Sequence, residues 1–294
     1  MSSTLFSRPL FRPFIWLQHI APQHLISKLA GVAARSESPW LRDRLISRFI
    51  KSYDVDMAQA ERPAGEYRSF NDFFTRALKP GSRPVADAAA QVICPADGAI
   101  SQIGHIECGR IVQAKGQSYT AAELLGGDEA LAARFEGGNF VTIYLSPSDY
   151  HRVHMPVGGT LRETAYIPGD LFSVNTVTAE NVERLFSRNE RLSCVFDTAH
   201  GAVASVMVGA MIVASIETVW GGLVKPHGKN LIRTGFKQAE GEAPSFAAGD
   251  EMGRFLLGST VVLLFEPGKV EWSSDLEPFS IVRMGQSLGR VVGA

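Results

Sequence analysis

A chain of 294 residues has room for one large domain or two, and its 45% apolar content is ordinary for a globular protein. The net charge is only −1, but eight Lys or Arg against Glu37 and Asp43 give residues 1–51 a net +6, leaving −7 on residues 52–294. Three scattered cysteines, Cys94, Cys108 and Cys194, with no CxxC spacing exclude a disulfide framework and a cysteine-based zinc site, and fit a reducing compartment.

In chain order, residues 1–20 combine Leu5, Phe6, Phe11, Phe14, Ile15, Trp16 and Leu17 with Arg8 and Arg12, and aromatics beside arginines suit a membrane interface. Pro9 and Pro13 interrupt this stretch and no small-residue cleavage site follows, so no secretory signal is expected. A helix is predicted from about Gln23 to Ala34, with Leu25, Ile26, Leu29 and Val32 on one face. Another starts at Ser38-Pro39, an N-cap followed by Pro at the first helical position. Its apolar stripe is Leu41, Leu45, Phe49 and Tyr53, and its polar side carries Arg42, Arg44, Arg48 and Lys51. Such helices pack on a protein body or on a membrane, and the pattern does not separate the two. The charge of this head calls for an anionic partner surface, for which phospholipid head groups and nucleic acid both qualify; no nucleic-acid motif accompanies it.

Ser69-Phe70-Asn71-Asp72 reads as a capping box opening a short helix through Phe73, Phe74 and Leu78, stopped by Pro80-Gly81. From about Val92 short Val/Ile-rich runs alternate with Gly/Pro/Asp turns: Gln91–Cys94, Gly98–Ile103, Arg110–Val112, Asn139–Leu145, Gly159–Tyr166, Ser193–Asp197, Val203–Ile216, Thr260–Phe265 and Ile281–Met284. One helix, Thr120 to Phe135, interrupts them. Ala202 to Ile216, about 15 apolar or small residues, falls short of the roughly 20 needed to cross a bilayer and reads as two buried strands turning near Gly209. The expected fold class is therefore α+β. A mainly antiparallel, β-rich core, barrel- or sandwich-like, fills residues 66–294 behind a basic amphipathic helical region at 1–65. The chain is expected to be soluble or peripheral.

Three motifs hold residues suited to chemistry. Pro95-Ala96-Asp97-Gly98 is a turn, and its Asp either bonds its own backbone or serves a site. Ser146-Pro147-Ser148-Asp149-Tyr150-His151-Arg152-Val153-His154-Met155-Pro156 follows a predicted strand directly. Its two histidines admit structural hydrogen bonding, acid–base work or a metal site; zinc normally takes a third ligand, and no spacing recommends His105, His200 or His227, so no metal is expected. The third is the apolar run from Gly253 to Phe265, broken by Gly258-Ser259-Thr260. Gly inside a strand packs nothing and marks a bulge, a bend or a close backbone approach. The Ser259 hydroxyl can reach back to the Gly258 carbonyl, which no Cβ shields.

Leu257-Gly258-Ser259-Thr260 resembles the self-cleavage motif of the pyruvoyl-dependent phosphatidylserine decarboxylases, in their bacterial form. The 146–156 segment and Ser-Phe-Asn-Asp-Phe-Phe-Thr-Arg with the following Leu-Lys-Pro-Gly-Ser-Arg-Pro match the same family, as does Ile216-Glu217-Thr218-Val219-Trp220, so the resemblance covers nearly the whole chain. It implies a triad of Asp97, His154 and Ser259, with His154 as base and Asp97 orienting it. Ser259 Oγ then attacks the Gly258 carbonyl, and elimination cuts the chain into residues 1–258 and 259–294. Position 259 is left as a covalent pyruvoyl group, which is the cofactor. The resemblance further implies that the serine amine of phosphatidylserine forms a Schiff base with this ketone, loses carbon dioxide and leaves as phosphatidylethanolamine, with His151 touching the substrate carboxylate or moving a proton. The implied partners are phosphatidylserine in an anionic membrane, the small chain held by the large one, and a second copy of the cleaved pair. The implied location is the cytoplasmic side of the cell membrane, held peripherally.

Two other readings use the same residues. A serine hydrolase could employ Asp97, His154 and Ser259 without cutting itself, although no Gly-x-Ser-x-Gly elbow is present. A non-catalytic anionic-lipid-binding protein would use the basic head alone.

Overall fold

The apolar run Ser259–Phe265 lies inside a nine-stranded antiparallel sheet. The strand order is Ile232–Gly235, Gly159–Ile167, Arg191–Thr198, Gly201–Val208, Ser259–Phe265, Asn139–Leu145, Gly98–His105 and Ile281–Val282, with Ser245–Phe246 also paired to Gly159–Ile167. The computed structural model describes Gln18 and residues 21–114, 116–210, 215–224, 230–236, 243–256 and 259–292. The aromatic and arginine-rich stretch 1–17 lies outside the described residues, as do Leu257 and Gly258.

Side chains alternate across a strand, so Val261, Leu263 and Phe265 enter one core cluster while Val262 and Leu264 enter another. A strand covered on both faces needs apolar residues at every position, hence an unbroken run rather than an alternation. The first face is covered by two smaller antiparallel sheets. One orders Gln91–Ile93, Ser287–Val291 and Val270–Trp272; the other orders Gly222–Leu223, Ile216–Thr218, Glu251–Phe255 and Arg152–His154. They contribute Val92, Val153, Met252, Phe255 and Leu288. The second face is covered by short helices and the Arg110–Ala114/Gln117–Thr120 hairpin, through Ile111, Tyr119, Leu124, Leu185 and Phe186.

The expected α+β class with a mainly antiparallel core and N-terminal helices is the observed one, but the described strands close no barrel; the core is layered. Three finer expectations change. The helix expected over Thr120–Phe135 is two, Ala121–Leu124 and Glu129–Ala133, because Gly126 and Gly127 stand between them at φ 77° and 81°, where a left-handed backbone ends a helix. The helix opened by Ser69, whose hydroxyl accepts from the Asp72 amide at 3.2 Å, ends at Phe74 rather than near Leu78. The two strands expected within Val203–Ile216 belong to different sheets, Gly201–Val208 to the large one and Ile216–Thr218 to the four-stranded one.

The N-terminal helices Gln23–Ala34 and Pro39–Tyr53 treat their apolar stripes in opposite ways. Pro39–Tyr53 packs Ile46 and Phe49 onto Phe70, Phe73 and Phe74, with the Phe49 and Phe70 rings edge-on at 5.1 Å. Gln23–Ala34 turns Gln23, Ser27 and Ala34 inward and leaves Leu25, Leu29 and Val32 at 55%, 62% and 59% exposure. Gln23 anchors it, donating to the Gln18 carbonyl at 2.7 Å and accepting from the Leu171 amide at 2.6 Å. The predicted stripe is present, but it faces outward. No described helix is long and apolar enough to cross a membrane.

Candidate active site

Two pairs of strands consecutive in sequence link the large sheet to the four-stranded sheet. Leu145 stands opposite Ser259 at the end of one strand pair, and Arg152 stands opposite Arg254 in the other. The connections between these pairs are residues 146–151 and 256–258, and the Phe255 amide donates to the His151 carbonyl at 3.0 Å. The Gly253–Phe265 run, expected as one strand with a bend or bulge, is thus two strands in two sheets. Ser259 opens the second strand fully buried, and among the described residues its Oγ has no hydrogen-bond partner. A buried hydroxyl without a partner is costly and calls for an explanation. The Gly258 carbonyl lies outside the described residues.

The Asp97 turn is brought to the same end of the sheet. Gly98 lies so close to the neighbouring strand that a Cβ there would sit 2.2 Å from the Tyr144 carbonyl oxygen, so only glycine fits. The His154 amide donates to the Pro95 carbonyl at 2.8 Å, tying this turn to the histidine segment. The Asp97 carboxylate accepts from Arg83 Nε at 2.8 and 3.0 Å and from the Met284 amide at 2.9 Å; Arg83 Nη2 also donates to it. The paired carboxylate raises the pKa of the Arg83 guanidinium.

Backbone carbonyls set the state of both histidines. His154 Nδ1 lies 2.9 Å from the Gly249 carbonyl, which can only accept, so Nδ1 carries the proton and Nε2 presents its lone pair. The Tyr150 hydroxyl donates to that Nε2 at 3.1 Å. His151 is arranged alike, Nδ1 donating to the Asp149 carbonyl at 2.8 Å, but its Nε2 is buried with no partner among the described residues. Its ring lies against Phe74, centroids 4.0 Å apart. Burial lowers the pKa of His154 and drives that of His151 down to about 3, so both rings are neutral near pH 7. Burial also pushes the Tyr150 hydroxyl up to about 12.

The fold therefore brings Asp97, His151, His154 and Ser259 to one end of the core. Among the described residues no side-chain hydrogen bond joins Asp97 to His154 or His154 to Ser259; Arg83, Gly249 and Tyr150 hold those positions. Beside Asp97 and Tyr150 lies a cavity of about 210 Å³, also lined by Arg76, Arg83, Asp149 and Ile281. The chemistry available is a neutral imidazole whose Nε2 lone pair accepts from Tyr150, a buried hydroxyl and a second neutral imidazole in apolar surroundings.

The model of the family described as phosphatidylserine decarboxylase matches residues 70–290, and a second, described as PSD, matches residues 13–54. The chain belongs to the phosphatidylserine decarboxylase family. A protein of Stutzerimonas stutzeri (strain A1501) named phosphatidylserine decarboxylase proenzyme is 56% identical over 281 residues, covering 95% of this chain and 94% of its own. Proteins of the same name from Pseudomonas aeruginosa (strain LESB58) and Bordetella bronchiseptica are 56% identical over 278 residues, each covering 94% of this chain and 96% and 93% of their own.

For this member of the phosphatidylserine decarboxylase family, sequence reasoning missed four partners at the site. Tyr150 was visible inside the histidine motif, but nothing there shows that its hydroxyl meets His154. Arg83 lies 14 residues before Asp97, and no periodicity joins a loop arginine to a turn aspartate. Gly249 acts through a carbonyl, which leaves no mark in a sequence. Phe74 belongs to a motif read as a short capped helix that matches the family, with no contact to a histidine foreseen.

Proposed function

We propose that this chain is a self-processing phosphatidylserine decarboxylase that converts phosphatidylserine to phosphatidylethanolamine and carbon dioxide. The observation that carries the reading is Ser259 Oγ, buried at the head of a strand and unpartnered among the described residues, opposite Leu145, from which the segment bearing both histidines continues.

The self-cleavage step needs a base that is unprotonated at neutral pH, and His154 Nε2 meets that need because burial lowers its pKa. Ser259 Oγ attacks the Gly258 carbonyl carbon, passing its proton to His154, and the peptide nitrogen leaves as an amine while an ester forms. Loss of the Ser259 α-proton then expels the Gly258 carboxylate and leaves dehydroalanine at 259. Addition of water and loss of ammonia leave the pyruvoyl ketone. Asp97, locked by Arg83, supplies negative charge near a histidine that becomes cationic as it works; its effect on His154 is to favour protonation. A hydroxyl with no competing partner suits this use, so the residues present fit the group.

The ketone, once formed, supplies an electron sink for the carbon that loses carbon dioxide. The chain's own residues supply the surroundings. Neutral His151 against Phe74 offers an environment of low polarity in which a carboxylate is poorly solvated and its conversion to uncharged carbon dioxide is favoured. The hydrogen-bonded pair His154 and Tyr150 is assigned as the proton carrier of this step.

Docking on an anionic membrane from the cytoplasmic side is supported by the outward apolar stripe Leu25, Leu29 and Val32, by Trp40 at 72% exposure, and by the net +6 of residues 1–51. Each basic residue near an anionic surface contributes roughly 1 kcal/mol. Pairing of two cleaved units is part of the same proposal.

Intact mass of freshly purified protein, with a carbonyl-specific label, tests the reading. Two chains, 1–258 and 259–294, with the label on the shorter one are expected. A single uncut chain that ignores the label and releases no carbon dioxide from phosphatidylserine vesicles overturns it.

A further inference from the structure

Among the described residues Arg76 is a guanidinium with no carboxylate at ion-pair distance, although Asp97 and Asp149 lie near enough to favour its charge. Arg76 is 4% exposed, and Nε and Nη1 are buried with no hydrogen-bond partner among the described residues. Nη2 donates to the Ser148 carbonyl at 2.9 Å and approaches that of Asp149 at 3.5 Å. The Phe73 ring, 5.4 Å from the guanidinium carbon, offsets part of the charge but accepts no in-plane hydrogen bond. No ion pair within the described residues neutralises Arg76, whereas the neighbouring Arg83 is saturated by Asp97, Gln59 and the Ser82 carbonyl. Burying a cation in this way is unfavourable unless an anion arrives to complete it.

The space for that anion is the cavity of about 210 Å³ that Arg76 lines together with Tyr150 and Asp97. Two of its acids are already engaged, Asp97 with Arg83 and Asp149 with the Ser146 amide at 2.6 Å. Asp54 and Asp56 stand at the exposed mouth. Ile281, which also lines the cavity, is 75% exposed, and Phe279 two residues earlier is 63% exposed. Apolar Ile281 and Phe279 beside an opening whose depth holds the unpaired Arg76 guanidinium suit a ligand whose charged end enters while its remainder stays in lipid.

Resting on the decarboxylase reading, we infer that Arg76 binds the phosphodiester of the lipid head group in this cavity, and so directs the serine end toward Tyr150 and His154. The other anion of the substrate, its carboxylate, is the poorer choice. An arginine on the carboxylate would stabilise the charge that the reaction must discard, whereas the ring of His151 is neutral and set against Phe74. Nothing in this assignment enters the self-cleavage step, which needs no lipid.

The test uses full-length wild type, Arg76→Lys and Arg76→Gln, each checked for cutting at 258/259 and assayed on dihexanoyl phosphatidylserine, with inorganic phosphate as a competing anion. The expected result is normal cutting in all three. For Arg76→Gln, KM should rise at least about tenfold with kcat within about threefold, and Arg76→Lys should recover part of KM because it keeps the charge. Phosphate should compete with substrate in wild type and lose that effect in Arg76→Gln, which separates a site for the lipid phosphodiester from phosphate acting elsewhere. A cut Arg76→Gln with unchanged KM, or with only kcat reduced, overturns the assignment. Failure of both variants to cut overturns it too, by making Arg76 structural. An uncut wild type sinks the decarboxylase reading itself, and is recognised before any variant is compared.

Discussion

The Tyr150 hydroxyl donates to His154 Nε2 at 3.1 Å, while the Nδ1–H of the same ring is held by the Gly249 carbonyl at 2.9 Å. Two hydrogen bonds from opposite edges fix both the tilt and the tautomer of the imidazole. Tyr150→Phe removes one of them and leaves a buried nitrogen unpaired, at a stability cost of about 1–2 kcal/mol. A ring freed to swing loses alignment, and self-cleavage is expected to slow by roughly tenfold or more. Chemical denaturation and a time course of chain cutting measure the two effects separately; unchanged cutting would show that Tyr150 does not position the base.

Arg83 and Asp97 form a nearly buried pair, their side chains 12% and 9% exposed. Arg83→Ala strips the carboxylate of its cation and leaves it the Met284 amide, so a loss of about 3 kcal/mol is expected. The double variant Arg83→Ala with Asp97→Asn carries no stranded charge and should be less unstable than the two single losses summed. Thermal melts of all four forms decide this, and strict additivity would refute the coupling.

Burial holds His151 down to about 3 against an ordinary 6.5, and lowers His154 as well. Between those values the unfolded chain takes up a proton that the folded chain refuses. The stabilisation is therefore complete above about pH 6.5 and is lost as the pH falls, by up to roughly 1.4 kcal/mol per pH unit for each histidine. His151→Phe, whose ring can rest on Phe74, should remove one proton's share of that slope. Urea midpoints between about pH 5 and pH 7 for both proteins supply the comparison, and equal slopes would rule out a neutral buried His151.

Leu29 and Val32 face solvent on a helix anchored by Gln23. Leu29→Gln with Val32→Gln should leave stability within about 0.5 kcal/mol, because neither side chain is buried. Cutting at 258/259 should proceed as before. Sedimentation with vesicles containing anionic lipid should drop clearly, and full retention would assign this face another role.

What could be read in the residues follows how local the cause is. Asn139–Leu145 and Gln23–Ala34 appear at their predicted ends because apolar period and flanking breakers act within the segment. The layering of the core was half legible: unbroken apolar runs announce burial on both faces, but not what lies on each face. Short strands such as Arg152–His154 and Glu251–Phe255 carry Arg and Glu among their few residues, and only pairing with distant neighbours in the sheet makes them strands. At the site, the side chains that bear the chemistry stood in recognisable motifs. Their supports, Arg83 and the Gly249 carbonyl, are set by tertiary closure and leave no local pattern.

Ser259–Phe265 is flanked along its length by Asn139–Leu145 on one side and Gly201–Val208 on the other. A break just before Ser259 would strand the shorter piece in the middle of the large one, gripped on both edges and unable to leave without dismantling the sheet. The native form would outlast the loss of its covalent thread. Once melted, however, the halves would have to meet again by diffusion, so recovery after heating should depend on protein concentration for severed material and not for an intact precursor. Severed protein would thus keep its shape through the height of the unfolding barrier, having assembled when it was still a single string.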